Sequence, residues 1–236
     1  MPYYEKRIYS GKVLEIERYY CTNGGRRPRS DRGKPTSEAQ HKRNIINSKK
    51  KLTRLINTNF HQGDLYITLT YAILPTEEQA KRELEKFFRK LRDYRKKAGM
   101  GELKYISITE KDEKRVHHHL LVNSISMDVI EKLWQLGRLT VSRLDPDFEY
   151  EWLARYLGKE EKPNSKRWNQ SRNLKKPKEK TKEIKRIVLK GEPTPPKGYK
   201  LLSYSPVYCD LTGIAEYSKF VKLEVKAHDI HRHSKN

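Results

Sequence analysis

Residues 104–123 read KYISITEKDEKRVHHHLLVN. Two apolar-rich runs flank the charged turn Lys111-Asp112-Glu113-Lys114, a pattern that predicts a β-hairpin. The second arm carries His117, His118 and His119. Side chains alternate faces along a strand, so His117 and His119 point the same way. Glu110, at the end of the first arm, can lie beside them. Two imidazoles and a carboxylate make a mixed nitrogen and oxygen donor set suited to a divalent cation. The plain alternative is a polar strand face with chance histidines. The triplet also allows the pair to slide by one residue. Alternation favours His117 with His119, because His118 shares its face with apolar Val116 and Leu120.

Outward from the hairpin, residues 64–71 (DLYITLTY) are β-branched and aromatic and predict a strand. Thr76-Glu77-Glu78-Gln79 is a capping box. Ala80, Leu84, Phe87, Phe88, Leu91 and Tyr94 then follow helical spacing to about Ala98, a stripe that belongs in the core. Gly99 and Gly101 stop that helix. A second helix opens at Ser126, with Met127, Ile130, Leu133 and Trp134 on one face, and ends at Gly137. Residues 139–144 predict another strand, and a third helix runs from near Asp147 to about Leu157. The order over residues 64–144 is β-α-β-β-α-β, which predicts an α+β, ferredoxin-like split βαβ with an antiparallel sheet and helices on one face. The other face is left to the termini or a ligand.

The chain has 236 residues, 35% of them charged, and a net charge of +22. The apolar content suits one modest core, and the charge favours a polyanionic partner, nucleic acid above all. The excess is concentrated in residues 18–54 and 159–190. Four segments are expected: a basic N-terminal arm and helix over 1–60, the core over 61–160, a Pro- and Lys-rich linker over 161–198, and a small β-rich C-terminal appendage and tail over 199–236. Residues 6–20 read as a strand pair or an arm, 21–36 as a flexible basic loop, and 38–59 as a basic helix. Arg26, Arg27, Arg29, Lys49, Lys50, Lys51, Arg167 and Arg172 are the expected DNA-binding residues, through salt-dependent phosphate contacts. His228, His231 and His233 read as a disordered tail rather than a second metal site. Cys21 and Cys209 form no metal-type pair or disulfide framework, which suits a reducing cytoplasm. No signal-peptide core or membrane-length apolar run occurs. Without a G-x-x-x-x-G-K-[ST] motif, a nucleotide-driven motor must be another protein.

The predicted third helix holds Tyr156, and Lys159 lies three residues on, where it shares a helical face. A tyrosine and a lysine near a metal grip suggest a nucleophile. A free phenol titrates near 10, so it needs a nearby cation to attack a phosphate at neutral pH. The plain reading is a tyrosine packed on the sheet and a lysine reaching water.

Three stretches together resemble one family in content and order. Residues 66–71 look like the first motif of rolling-circle replication initiators. Residues 115–122 (RVHHHLLV) resemble the second, the His-hydrophobe-His motif of the HUH endonuclease superfamily. Residues 155–159 (RYLGK) are similar to the third, Tyr-x-x-Lys. The resemblance is to plasmid initiators and the filamentous-phage gene II type, over about half the chain. It implies metal ligation by Glu110, His117 and His119, with Mn²⁺ or Mg²⁺. It implies attack of Tyr156 on a DNA phosphodiester, with a 5′-phosphotyrosine and a freed 3′-hydroxyl that primes synthesis, and Lys159 nearby. Single-stranded or supercoiled origin DNA is the implied partner, with a host helicase and replication machinery. Two features depart from the pattern: His118 replaces the central hydrophobe, and Trp152 stands where two-tyrosine members carry a second tyrosine, leaving Tyr150 as a distant reserve. A conjugative relaxase or single-strand transposase is an alternative, with Tyr3 or Tyr4 as a relaxase nucleophile. A non-catalytic module that stacks bases on an RRM-like sheet is another.

Overall fold

A computed structural model describes residues 2–20, 38–111, 115–145, 150–157, 168–187, 191–209 and 213–223. The chain forms two compact units. One is Thr36–Lys176; the other joins Met1–Pro35 to Pro177–Asn236.

The Thr36–Lys176 unit begins with helix α1 (Glu38–Asn59), followed by β3 (Leu65–Thr70), helix α2 (Glu77–Lys97), β4 (Tyr105–Lys111), β5 (Val116–Val122), helix α3 (Met127–Leu133), β6 (Leu139–Arg143), helix α4 (Glu151–Leu157) and the short β7 (Asn169–Gln170), with β1 and β2 preceding it in the other unit. Its antiparallel sheet has the order β6-β3-β5-β4-β7. Strands β3 to β6 with α2 and α3 are the split βαβ arrangement that the sequence predicts, and β7 extends the sheet beyond β4.

Alternation sorts the sheet into two faces. Leu65, Ile67 and Leu69 of β3 are buried on one face with Leu120 and Val122 of β5. Leu84, Phe87, Phe88 and Leu91 of α2 and Ile130 and Trp134 pack there. Burying each such side chain contributes roughly 1.5–3 kcal/mol. The α2 stripe differs from expectation at its end: Tyr94 is 37% exposed, and Arg95 is buried instead. Thr76 caps α2 by accepting a hydrogen bond from the Gln79 amide, and the Gln79 side chain returns the contact to the Thr76 amide.

The second face is not left open. Leu52, Leu55 and Ile56 of α1 and Leu153, Ala154 and Leu157 of α4 cover Ile106, Ile108 and Leu121. Helices therefore lie on both faces. The expectation of helices on one face holds for α2 and α3; α1 and α4 add a partial layer opposite, because both have apolar stripes that must be buried.

The second unit is a five-stranded antiparallel sheet, ordered β8-β1-β2-β10-β9. The strands are β1 (Tyr3–Ser10), β2 (Val13–Tyr20), β8 (Lys178–Ile184), β9 (Tyr199–Cys209) and β10 (Gly213–Lys222). Gly11, at φ 59°, provides the left-handed turn between β1 and β2. Leu14, Ile16 and Phe220 form its apolar cluster. Beside them the buried Glu5 carboxylate receives Arg7 at 2.9 Å and Arg18 at 2.8 Å, and Arg18 also reaches Glu216 at 2.9 Å. The structure groups the expected segments differently. The N-terminal arm is a hairpin inside this sheet, helix α1 belongs to the other unit, and residues 178–184 of the expected linker are a strand paired with β1 over its length.

Candidate active site

The site is built on the sheet face that α4 approaches. In register, Glu110 of β4 lies opposite His117 of β5, Thr70 of β3 lies opposite His117, and Thr68 lies opposite His119. Paired residues of an antiparallel sheet share a face, so the hairpin delivers Glu110, His117 and His119 to one side, with Tyr66, Thr68 and Thr70.

His119 is nearly buried, and its Nε2 faces Glu110 Oε2 at 3.3 Å. On its other side Nδ1 lies 2.8 Å from the Tyr66 hydroxyl and 3.2 Å from Thr68 Oγ1. A ligating role would require the His119 proton on Nδ1, leaving Nε2 to share a cation with Glu110. The His117 ring is nearly parallel to that of His119, with centroids 6.4 Å apart. At that spacing, no three His, Cys, Asp or Glu side chains among the described residues form a closed metal-holding group. The donors share a face and a suitable chemistry. His119 and Glu110 are in contact, and His117 stands back.

Helix α4 places Tyr156 over this face. Its ring meets His119 edge-on at 5.6 Å and Tyr66 edge-on at 6.4 Å. Tyr156 is 48% exposed, and its side chain hydrogen-bonds that of Tyr66. Leu153, Ala154 and Leu157 anchor the helix from beneath, and Arg155 is held on the outside by Glu151 at 2.6 Å. Tyr66 contrasts with Tyr156. Burial, reinforced by Tyr156 and Glu110, pushes the Tyr66 phenol up to about 12, although its hydrogen bond with Thr68 opposes the shift. Tyr66 stays protonated and suits a positioning role.

His118 points through the sheet. It is fully buried, with Nε2 2.9 Å from the Tyr71 hydroxyl and Nδ1 2.9 Å from Thr109 Oγ1. Trp134 meets its ring edge-on. Burial, with smaller contributions from His119 and His117, pushes its pKa down to about 4. It is a neutral core residue on the opposite face of the sheet from Glu110, His117 and His119.

Tyr150 is a correction. It is buried in the cluster beneath α4, with its hydroxyl donating to the Asp145 carbonyl at 3.1 Å and its amide to Asn57 Oδ1 at 3.0 Å. It cannot serve as a reserve nucleophile without dismantling that packing. Trp152 is exposed.

Lys159, Arg26, Arg27, Arg29 and Arg167 lie outside the described residues, as do His228, His231 and His233. Lys49, Lys50 and Lys51 lie on α1, with Lys51 exposed and the other two half-buried. Arg172 is exposed just after β7, at the edge of the sheet. Tyr66 and Thr68 received no role from sequence, although strict alternation in β3 puts them on the face of His119.

One face of a ferredoxin-like sheet thus bears His-x-His, an adjacent glutamate and a half-exposed tyrosine. Residues 64–161 match the family model described as replication-associated protein ORF2/G2P. The match covers less than half of the chain, contains Glu110, His117, His119 and Tyr156, and supports a replication-initiator family for this segment. No curated protein and no solved structure matches the chain. No described helix is long and apolar enough to cross a membrane.

Proposed function

We propose that this protein is a tyrosine endonuclease and strand transferase of the HUH kind, which nicks single-stranded or supercoiled origin DNA to initiate rolling-circle replication. The observation that carries this reading is the half-exposed Tyr156 ring set edge-on to His119, whose Nε2 faces Glu110.

The Tyr156 oxygen attacks the scissile phosphorus and gives up its proton. A bond forms between that oxygen and phosphorus, and the bond to the 3′-oxygen breaks. The products are a 5′-phosphotyrosine and a 3′-hydroxyl that takes up a proton and can prime synthesis. Reversal by another 3′-hydroxyl rejoins a strand. Mn²⁺ or Mg²⁺ held by Glu110, His119 and an inward-turned His117 would polarise the phosphate and favour the phenolate. Tyr66 and Thr68 hold the His119 ring in one orientation, so the ligand face is fixed before substrate arrives. Lys159 is assigned a supporting role by its motif position alone. A host helicase and replication machinery would complete the process.

The alternatives fit less well. A base-stacking module needs an open sheet, but Ile106, Ile108 and Leu121 lie under α1 and α4. Tyr3 and Tyr4, the relaxase-type nucleophiles, are strand residues of the other unit, packed against Tyr20 and Tyr19.

The test is a nicking assay with supercoiled origin DNA, protein and Mn²⁺ or Mg²⁺. A nick and a covalent protein–DNA adduct are expected. A Tyr156→Phe protein that still forms the adduct sinks the assignment.

A further inference from the structure

At the far end of β4 from Glu110, the last turns of α2 and the residues around β7 enclose an open cleft of about 630 Å³. Five residues separate Tyr105 from Glu110, about 17 Å at the rise of a strand. Arg92 and Lys96 of α2 and Arg172 beyond β7 line it. All three are exposed. None makes a side-chain ion pair or hydrogen bond among the described residues. Earlier on α2, Arg82 reaches Glu78 and Lys86 reaches Glu83, whereas Lys81, Arg89 and Lys90 also stand without an ion pair among the described residues, so it is the convergence on one cleft that distinguishes Arg92, Lys96 and Arg172. Basic residues in a last turn also complement the helix dipole. That accounts for Lys96, but Arg92 lies a turn earlier and Arg172 comes from another element.

Arg95 adds a further positive charge behind the cleft while its donors tie the end of α2 to backbone carbonyls. The residue is buried at the back of the cleft, donating from Nε to the Gly101 carbonyl at 2.7 Å and from Nη1 to the Asn123 and Ser124 carbonyls at 3.4 and 2.8 Å. No carboxylate pairs with it among the described residues. Burial pushes its pKa down, with only partial relief from the charge of Asp64. A buried cation without a counter-charge is costly, and a bound anion offsets that cost. The one acid in the lining, Glu102, is held by Asn173 Nδ2 at 3.0 Å. The rest of the lining suits a base: Tyr105 and Met100 offer apolar surface, and Gln170 a side-chain amide.

We propose that this cleft binds a nucleotide of single-stranded DNA away from the cleaved phosphate, with Arg92, Lys96 and Arg172 on the backbone and a base against Tyr105 and Met100. It is a holding site on the strand that reaches the Tyr156 face, and it rests on DNA being the substrate. The same chemistry could take a free deoxynucleotide, and the experiment separates the two.

Anisotropy of a labelled single-stranded oligonucleotide is measured with the full chain in chelator, where no nicking occurs. The triple variant Arg92→Gln, Lys96→Gln, Arg172→Gln should bind at least tenfold more weakly. Its logarithmic salt dependence should fall by about 2, the share of three phosphate contacts to a single strand. A thermal melt reports folding. Independently, an oligonucleotide carrying 5-iododeoxyuridine should photocross-link wild-type protein at Tyr105 or Met100. Unchanged affinity and salt slope in a folded variant overturn the proposal, as do cross-links confined to other residues. A deoxynucleoside triphosphate that displaces the oligonucleotide at equal concentration overturns the DNA-strand assignment in favour of a free nucleotide. If the wild type nicks DNA while the triple variant binds normally, the cleft fails and the function stands. If the oligonucleotide binds in the cleft and no nick ever forms, the reverse holds.

Discussion

On one side of β5, His118 is sealed between Tyr71 and Thr109 with Trp134 against its ring. On the other, His117 and His119 meet Glu110, Tyr66 and Tyr156. Three identical residues in a row thus divide between a core and a site. Residue type does not decide the division; the pleat does, together with what each face offers. The inner face supplies two hydroxyls that satisfy both ring nitrogens of His118, so that burial costs little. The outer face satisfies only Nδ1 of His119 with hydroxyls and leaves Nε2 facing a carboxylate. That is the difference between a histidine that is finished and one still able to take a partner.

Substitutions on the two faces should therefore separate chemistry from stability. The largest effect on cleavage is expected from Tyr156→Phe: no adduct on a denaturing gel, with unfolding free energy changed by no more than about 1 kcal/mol, the scale of the one hydrogen bond its hydroxyl shares with Tyr66. His119→Ala should slow nicking by more than about 100-fold and weaken Mn²⁺ binding by calorimetry, and a chelator should do the same to the wild type. Tyr66→Phe removes one hydrogen bond from His119 and should slow nicking by about 10-fold, with little change in melting. His118→Ala should do the opposite. It removes a buried ring and strands the Tyr71 and Thr109 hydroxyls, costing about 2–4 kcal/mol in denaturant unfolding, while the folded fraction nicks within about threefold of normal. If His118→Ala loses cleavage without losing stability, the two faces are not independent.

A smaller probe lies at the end of β3. A Cβ on Gly137 would stand 2.5 Å from the Thr70 carbonyl oxygen and 2.7 Å from the Ala72 amide nitrogen. Gly137→Ala should cost about 1–3 kcal/mol, because backbone rather than a mobile side chain must yield. A shift of Thr70 would also disturb the strand opposite His117.

Much of this was legible from the residues. The period of two in residues 66–70 and 117–119 fixes which side chains share a face, and the capping box fixes where α2 begins. Helix α1 was legible as a helix but not in its placement, since Leu52, Leu55 and Ile56 show that a face is buried without showing against what. Tyr150 illustrates the limit: its partners Asn57 and Asp145 settle its role, and Asn57 lies 93 residues away. β8 is the clearest failure. KEKTKEI has no apolar residue before Ile184, and most of it is exposed. Its strand conformation comes from pairing with β1, some 175 residues distant in sequence, as a charged sheet edge. Arg172 was read as a DNA contact, but its grouping with Arg92 and Lys96 was invisible, because only the end of β4 brings α2 and the β7 segment together.

The strand order β8-β1-β2-β10-β9 also bears on how the protein is made. β1 and β2 leave the ribosome first, yet both outer partners of their hairpin belong to the last third of the chain. At about 5–20 residues per second, some 190 residues separate β2 from β10, a delay of roughly 10–40 s. Until β8 emerges the hairpin has two open edges, and the β2 edge stays open until β10, while the Thr36–Lys176 unit can finish folding from residues already synthesised. A ribosome stalled after Lys176 would release a chain holding every described residue of the candidate active site but with an orphan hairpin at its head. Such a product should pair with other chains through those edges, so chaperone capture or aggregation would track the completion of translation more closely than the stability of the Thr36–Lys176 unit.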